Sequence, residues 1–538
     1  MRGADLIAGT LAAAGARTIF TLSGNQIMPI FDACIDEDIR LVHVRHEAAA
    51  VYMADAWSQL TGDVGIALLT AAPGFANGLS PLYTARASES AVVLLSGDAP
   101  LSQEGRGAFQ ELRQTEVSAP LCKAAFRSRD ASELGSDLAR AIRIARSGRP
   151  GPVHLGLPFD LLNTEVGSRG PPATERFARV RNDTNHATIT EIHETLLGAR
   201  RPVVLTGPAL NASRAGALLE RLSRALDAPV IPMESPRGLR DPALGNLARI
   251  FPGVDLVLSL GKIIDFTIGF ASPPVFAPDC RFMLIDPEKE LLQRAKRLLG
   301  DNLVIAHHAD ADIAAESLVA SATMDSYSRA AWHSEVAGAI APRPEMAEDV
   351  SPSGRILPTA LCREVQRILD AADDPILICD GGEFGQWAQA CLSAPTRIIN
   401  GPAGAIGGGL CYAIAAKIFR PGATVVALMG DGTIGFHLSE FETALRCNAP
   451  FIAIVGHDAR WNAEYQIQLR DYGPDRLIGC ELGGTRYDLA AAGLGCHGEI
   501  VSRPGELSGA LKRAMESGLP ACVNVGIEGL PAPSGSGH

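Results

Sequence analysis

Two aspartates, Asp431 and Asp458, stand 27 residues apart, each just beyond a short apolar run. The runs Thr424 to Met429 and Phe451 to Val455 read as consecutive buried strands. Parallel neighbours place their carboxyl ends on one edge of a sheet, where ligands of open α/β sheets bind. Asp431 and Asp458 are therefore expected to face a common crevice. Two hard oxygen ligands beside Gly430-Asp431-Gly432, read as a tight turn, suit an octahedral ion such as Mg2+. Such an ion keeps its other positions for water, backbone carbonyl and phosphate oxygens. Ser439-Glu-Phe-Glu442 reads as a capping box that opens the helix between the strands.

A rival reading uses the same letters. Gly430-x-Gly432-x-x-Gly435 after a strand fits the dinucleotide fingerprint, with Asp458 as the ribose-binding acid. Asp431 decides between the two. A carboxylate placed where a pyrophosphate approaches repels it unless a cation bridges them.

A third acid, Glu47, follows the strand Leu41 to Val44 and Arg45-His46, and opens a helix rich in small residues. Taken alone, an acid in a first helical turn complements the helix dipole. His46-Glu47 also begins like a zinc-protease helix, but Ala50 stands where the second His is required. Thr70-Ala-Ala-Pro-Gly-Phe-Ala-Asn-Gly78 reads as a glycine-containing turn at which backbone approaches a ligand. Phe109-Gln110-Glu111 falls in a polar loop after the strand Val92 to Ser96. No G-x-S-x-G elbow and no Walker loop is present, which argues against hydrolase and nucleotide-triphosphatase chemistry.

These acids need a scaffold, and 538 residues are too many for one core. With 47% hydrophobic residues, 20% charged and 55 glycines, the chain reads as a packed α/β enzyme. Three segments repeat a rhythm of short strand, glycine turn and apolar-periodic helix, so three doubly wound parallel-sheet domains are expected, at 1–165, 186–325 and 355–530. The first carries strands at Thr18 to Leu22, Leu41 to Val44, Gly65 to Thr70 and Val92 to Ser96. The second has Pro202 to Thr206, Pro229 to Pro232, Val254 to Leu260 and Phe282 to Ile285. The third has Ile376 to Cys379, Thr424 to Met429, Phe451 to Val455 and Ala521 to Val525. The stretch from Pro171-Pro172 to Asn185 reads as a linker, Ser321 to Arg355 as a polar, strand-poor separator, and Pro531 to His538 as a frayed tail.

No apolar run of about 20 residues appears, so no membrane span is predicted. The N-terminal segment reads as an amphipathic helix rather than a signal peptide, and a cytoplasmic location is expected. A net charge of −12 and the lack of a dense basic run disfavour nucleic acid as a partner. Eleven scattered cysteines without a C-x-x-C pair read as reduced core residues.

Taken in order, the residues resemble one family, the thiamine diphosphate enzymes of the acetolactate synthase, benzaldehyde lyase and 2-hydroxyacyl-CoA lyase type. The resemblance rests on Arg45-His46-Glu47, Pro73-Gly74, Phe109-Gln110-Glu111, Gly404-Ala-Ile-Gly-Gly-Gly409, and Gly430-Asp431-Gly432 with its second acid. It implies a pyrimidine-binding first domain, a central domain and a diphosphate-binding last domain. It also implies a homodimer or homotetramer with active sites between subunits. Glu47 would hydrogen-bond the aminopyrimidine and favour the tautomer that takes the proton from thiazolium C2, by proximity more than basicity. Ile406 would be the wedge that bends the cofactor. Pro73, Gly74, Asn77, Ala405, Gly430, Gly432 and Thr433 complete the implied cofactor contacts. Asp431, Asp458 and the backbone carbonyl of Arg460 would hold Mg2+. Gln110 and Asn25 or Gln26 would meet the oxygen of a small carbonyl substrate.

Two departures stand out. The family usually has Asn-Asn where this chain has His457-Asp458, although a branch resembling the 2-hydroxyacyl-CoA lyases carries Asp there. Thr206-Gly-Pro-Ala-Leu210 and Gly261-Lys-Ile-Ile264 lack the flavin-binding pattern, which argues against FAD, while Asp286-Pro287-Glu288 resembles the acidic turn that contacts an adenine nucleotide such as ADP. The activity implied first is carboligation or decarboxylation of 2-oxo acids, as in acetolactate synthase. Cleavage of 2-hydroxyketones or 2-hydroxyacyl-CoA is the alternative, and a catalytically degenerate, cofactor-binding regulatory subunit is the second.

Overall fold

The computed structural model describes residues 1–167, 170–322, 329–341, 343–400 and 403–533. The end of the expected frayed tail lies outside them.

Among the described residues the chain folds into three parallel sheets, each flanked by helices. The first contains β1 (Thr18–Thr21), β2 (Arg40–His43), β3 (Gly65–Leu69), β4 (Val92–Asp98), β5 (Ala124–Arg127) and β6 (Val153–Pro158), in the order β2-β1-β3-β4-β6-β5. The second contains β7 (Pro202–Thr206), β8 (Val230–Pro232), β9 (Leu256–Leu260), β10 (Arg281–Asp286) and β11 (Leu303–His308), in the order β11-β10-β9-β7-β8. The third contains β12 (Pro375–Cys379), β13 (Thr396–Ile399), β14 (Thr424–Gly430), β15 (Ile452–His457), β16 (His497–Val501) and β17 (Ala521–Gly526), in the order β13-β12-β14-β15-β17-β16.

The first and third orders are the same pattern. Each sheet reverses direction once its second strand is placed, leaving a crevice between its first and third strands, where ligands of such sheets sit. In the third sheet that crevice opens between β12 and β14. Register pairs Leu428 with Cys379 and Gly430 with Gly456, so the turns after β12, β14 and β15 emerge side by side. These strands are buried on both faces, which is why they read as unbroken apolar runs.

The first and third sheets share a core. The helix Glu47–Thr61 packs on the helix Gly409–Phe419 through buried alanines on both, with Phe20, Ile378 and Val425 beneath. Small side chains let helix axes come close. The His46 ring starts the first of these helices by accepting from Ala48 N at 3.1 Å, and Gly62 at φ 71° ends it in the left-handed region. The Tyr412 hydroxyl donates to Asp55, wholly buried in that interface, at 2.9 Å.

Several expectations are revised. The stretch from Pro171 to Asn185 is docked rather than free: Phe177 is buried in the first core and Asp310 receives the Asn182 backbone. The described residues of the separator from Ser321 carry no strand, in keeping with the strand-poor reading, but include a helix, Ala330–Ile340, whose Trp332 donates to the Pro202 carbonyl at 2.8 Å. Ser439 forms no capping box; it has helical φ and ψ and its side chain caps nothing. The Glu440 carboxylate instead accepts from Arg45 N at 3.0 Å and His46 N at 3.1 Å, bracing the Glu47 turn from the third sheet.

Candidate active site

At the crevice of the third sheet lies a cavity of about 280 Å3, lined by Gly381, Gly430, Asp431, Thr433, Gly456 and Asp458, and from the central segment by Pro236 and Arg237. Gly430-Asp431-Gly432 is not a bare turn but the start of a one-turn helix, Asp431–Ile434, tied by Thr433 Oγ1 to the Gly430 carbonyl at 3.0 Å. Gly432 has no room for a side chain, because an added Cβ would meet the Trp461 ring at 2.6 Å.

The two aspartates meet as expected. Burial raises Asp431 to about 6, and burial followed by the charge of Asp431 raises Asp458 to about 7. Asp431 Oδ1 accepts from Gly432 N at 3.1 Å, and Asp458 Oδ1 from Arg460 N at 3.1 Å. Asp431 Oδ2 is buried with no hydrogen-bond partner, and the His457 ring lies 3.6 Å from it. A buried, orphaned carboxylate oxygen facing a second buried acid is a site short of positive charge. A divalent cation supplies that, so the donor set fits Mg2+. Among the described residues no group of three or more His, Cys, Asp or Glu is placed to hold a metal ion by itself, so backbone, phosphate or water oxygens would complete the shell. Arg460 also lines the cavity, but its guanidinium stacks 4.2 Å over the Tyr465 ring, which leaves only its backbone for an ion.

Ile406 enters the same cavity, held between Gly404 and Gly407, both at positive φ. Ala405 stays outside it with its carbonyl against Gly381, where an added Cβ would come within 2.6 Å. Asp380, unremarked in the sequence, ties this segment down: its buried carboxylate accepts from Gly381 N, Gly407 N and Gly409 N at 2.7, 3.0 and 3.1 Å. His437 Nδ1 bonds the Gly407 carbonyl at 2.6 Å. The signal for Asp380 was its place at the end of β12, beside the crevice.

A second group gathers on the first sheet. Asn77 Nδ2 donates to Glu47 Oε2 at 2.9 Å. Pro73–Asn77 is a short helix rather than a turn, and an added Cβ on Gly74 would lie 3.2 Å from Glu47 Oε1. Thr70 Oγ1 donates to Gln26 Oε1 at 2.7 Å, and Gln26 Nε2 to Gln110 Oε1 at 2.6 Å. Asn25 is exposed and takes no part in this set. The Glu111 carboxylate collects the amides of Gly105, Gly107 and Ala108, which folds the loop that presents Gln110. Within one chain Glu47 does not line the cavity that holds Asp431.

On the central sheet, Asp286 is committed to the buried Arg149 at 2.6 Å, which also binds Glu89 and the Gly261 carbonyl. Lys262 pairs with Asp265 at 3.0 Å. All eleven cysteines are unpaired, and among the described residues no helix is long and apolar enough to cross a membrane.

Three parallel α/β units, with an acidic cleft at one switch point and an acid-bearing helix start on another sheet, are an arrangement in which a phosphorylated cofactor can be held at strand ends. Comparison narrows this class. Residues 1–117 match the family model for the thiamine pyrophosphate enzyme N-terminal TPP binding domain, and 380–525 that for the C-terminal TPP binding domain. The chain is 32% identical over 537 residues to the acetolactate synthase large subunit IlvG of Mycobacterium tuberculosis, covering 98% of this chain and 95% of that one. It is 28% identical to 2-hydroxyacyl-CoA lyase 2 of Bos taurus, covering 97% and 89%. A thiamine diphosphate-dependent 4-hydroxybenzoylformate decarboxylase of Rhodococcus jostii RHA1 shares the fold, with TM-score 0.81, 23% identity and coverage of 98% and 99%. The chain belongs to the thiamine pyrophosphate enzyme family. The nicotinamide reading of Gly430-x-Gly432 is thereby set aside.

Proposed function

We propose that this enzyme forms or cleaves a carbon-carbon bond beside a carbonyl, using thiamine diphosphate and Mg2+, as an acetolactate synthase-like carboligase or decarboxylase of 2-oxo acids. The observation that carries the metal assignment is the buried, unpartnered Oδ2 of Asp431 facing Asp458. Asp431, Asp458 and the Arg460 carbonyl would hold the ion. Gly430, Gly432 and Thr433 would receive the diphosphate beside it, with Ile406 against the cofactor body. When bound, the cofactor supplies the electron sink for the bond made or broken.

The protein's own part is geometric. Asn77 fixes one oxygen of Glu47 and leaves Oε1 toward Gly74, free to hold a proton at the cofactor ring. Proton transfer by a positioned side chain of this kind contributes on the order of 10²–10⁴ in rate. Because Glu47 stays out of the Asp431 cavity of its own chain, the reading places each site between two copies, in a homodimer or homotetramer. The unpaired cysteines accord with a cytoplasmic location. With Asp286 already bound to Arg149, FAD or ADP on the central sheet is not part of this reading.

Likeness to 2-hydroxyacyl-CoA lyase 2, together with Asp458 at the metal site, supports cleavage of 2-hydroxyacyl-CoA as the second reading. The test is release of CO2 from pyruvate and of aldehyde from 2-hydroxyacyl-CoA by the protein loaded with thiamine diphosphate and Mg2+. CO2 release with acetolactate as product is expected. Aldehyde release alone would favour the lyase, and turnover unchanged by chelation of the metal would defeat both.

A further inference from the structure

Gly407 is gripped through both of its backbone polar groups. Its N–H donates to the buried Asp380 carboxylate at 3.0 Å, and its carbonyl meets His437 Nδ1 at 2.6 Å. A carbonyl oxygen only accepts, so the second contact requires the proton of the His437 ring on Nδ1. His437 is 5% exposed, and burial lowers its ring to about 4, so the ring is neutral at neutral pH and this single proton makes the bond.

Hydrogen bonds carry the whole task of orienting Gly407. It lies at φ 90°, in the left-handed region, and an added Cβ would meet Phe436 Cβ at 2.6 Å, so it offers no side chain by which packing could fix it. Ile406, the residue just before it, lines the cavity of Asp431 and Asp458. The His437 ring is itself fixed. It stands edge-on to His46 at 6.0 Å and to Tyr52 at 5.6 Å, at the start and in the second turn of the helix Glu47–Thr61. The His437 carbonyl also accepts from Glu440 N at 2.9 Å, and the Glu440 carboxylate binds the amides of Arg45 and His46.

We propose that His437 is a positioning residue whose Nδ1–H holds the Gly407 carbonyl and thereby sets the place of Ile406 in the cavity. Asp380 secures the amide side of Gly407 and His437 the carbonyl side. The inference rests on the reading of this cavity as a thiamine diphosphate site with Ile406 against the cofactor body. On that reading the place of Ile406 governs how closely the aminopyrimidine approaches the C2 proton, a matter of proximity.

The test follows exchange of the thiazolium C2 proton for deuterium in bound thiamine diphosphate, without substrate, by proton NMR after an acid quench. His437→Phe keeps a ring against His46 and Tyr52 but removes the donor. It should slow exchange about tenfold, since small displacements from a reacting geometry act on this scale or beyond. His437→Asn carries an amide nitrogen where the ring has Nδ1, and should exchange within about threefold of wild type. Calorimetric affinity for thiamine diphosphate and the thermal midpoint should stay near wild type in both, which separates displacement of Ile406 from general damage. Wild-type exchange in His437→Phe, with Ile406→Ala slow, would overturn the proposal, as would His437→Asn being as slow as His437→Phe. A neutron crystal structure of the wild type depends on neither variant: deuterium on His437 Nδ1 is expected, and deuterium on Nε2 alone would refute the grip. Exchange in Ile406→Ala as fast as wild type would instead refute the reading of Ile406.

Discussion

Asp431 and Asp458 do different work although both are buried acids at neighbouring strand ends. Asp431 has one oxygen tied to Gly432 N and one with no protein partner, so its second oxygen is free to take an ion. Asp458 is bonded to Arg460 N and raised by the charge of Asp431, so a neutral amide at 458 would remove repulsion and keep an oxygen donor. Asp431→Ala should therefore abolish Mg2+-dependent binding of thiamine diphosphate in calorimetric titration. Asp458→Asn should bind within about tenfold of wild type, since one hydrogen bond or charge contact of this kind is worth on the order of 1 kcal/mol. Equal loss in both would mean that the acids act as one ligand pair. His457, which the sequence marked only as a departure from Asn, places its ring 3.6 Å from that orphaned oxygen.

Elements differ in how plainly the sequence announces them. Central strands such as β4, β7, β9, β12 and β14 are buried on both faces, and their apolar runs located them to within a residue or two. The unannounced strands β5, β11, β13 and β16 lie at sheet edges and are partly exposed, so no continuous apolar run marks them. β6 is fully buried but is interrupted by His154, Gly156 and Pro158. The site followed the same rule: residues at strand ends and beside glycines were legible, whereas Glu440 acts through long-range backbone contacts that carry no local pattern, and Asp380, though placed at a strand end, has its partners Gly407 and Gly409 far along the chain. The pairing of the helices Glu47–Thr61 and Gly409–Phe419 was equally silent, and it depends on Tyr412. Burial raises the Asp55 carboxyl, and Tyr412, Gln59 and Ser90 counter that shift. Tyr412→Phe removes a donor from a wholly buried acid, at a cost of roughly 1–3 kcal/mol. Chemical denaturation should show a lower midpoint with an unchanged slope, whereas an unaltered midpoint would mean that this bond contributes nothing to joining the two sheets.

At the scale of the whole molecule, the two halves of the proposed site lie on different sheets, and one chain does not bring them into one cavity: Glu47 is absent from the walls around Asp431. A two-fold pair solves this if each copy lends its residue 47 to the other's residues 431 and 458. Mixing two dead enzymes tests that arrangement. In a hybrid of Glu47→Gln with Asp431→Ala, one site joins the two defects and the other joins Glu47 of one copy to Asp431 of its partner, both intact. Random reassociation makes half the dimers hybrids with one good site each, so activity should return to about one quarter of wild type, as two-fold symmetry dictates. If each site were complete within a chain, every chain in the mixture would carry a defect and no activity would return. The recovered rate after subunit exchange, set against the unmixed variants, therefore reports whether catalysis belongs to the chain or to the pair.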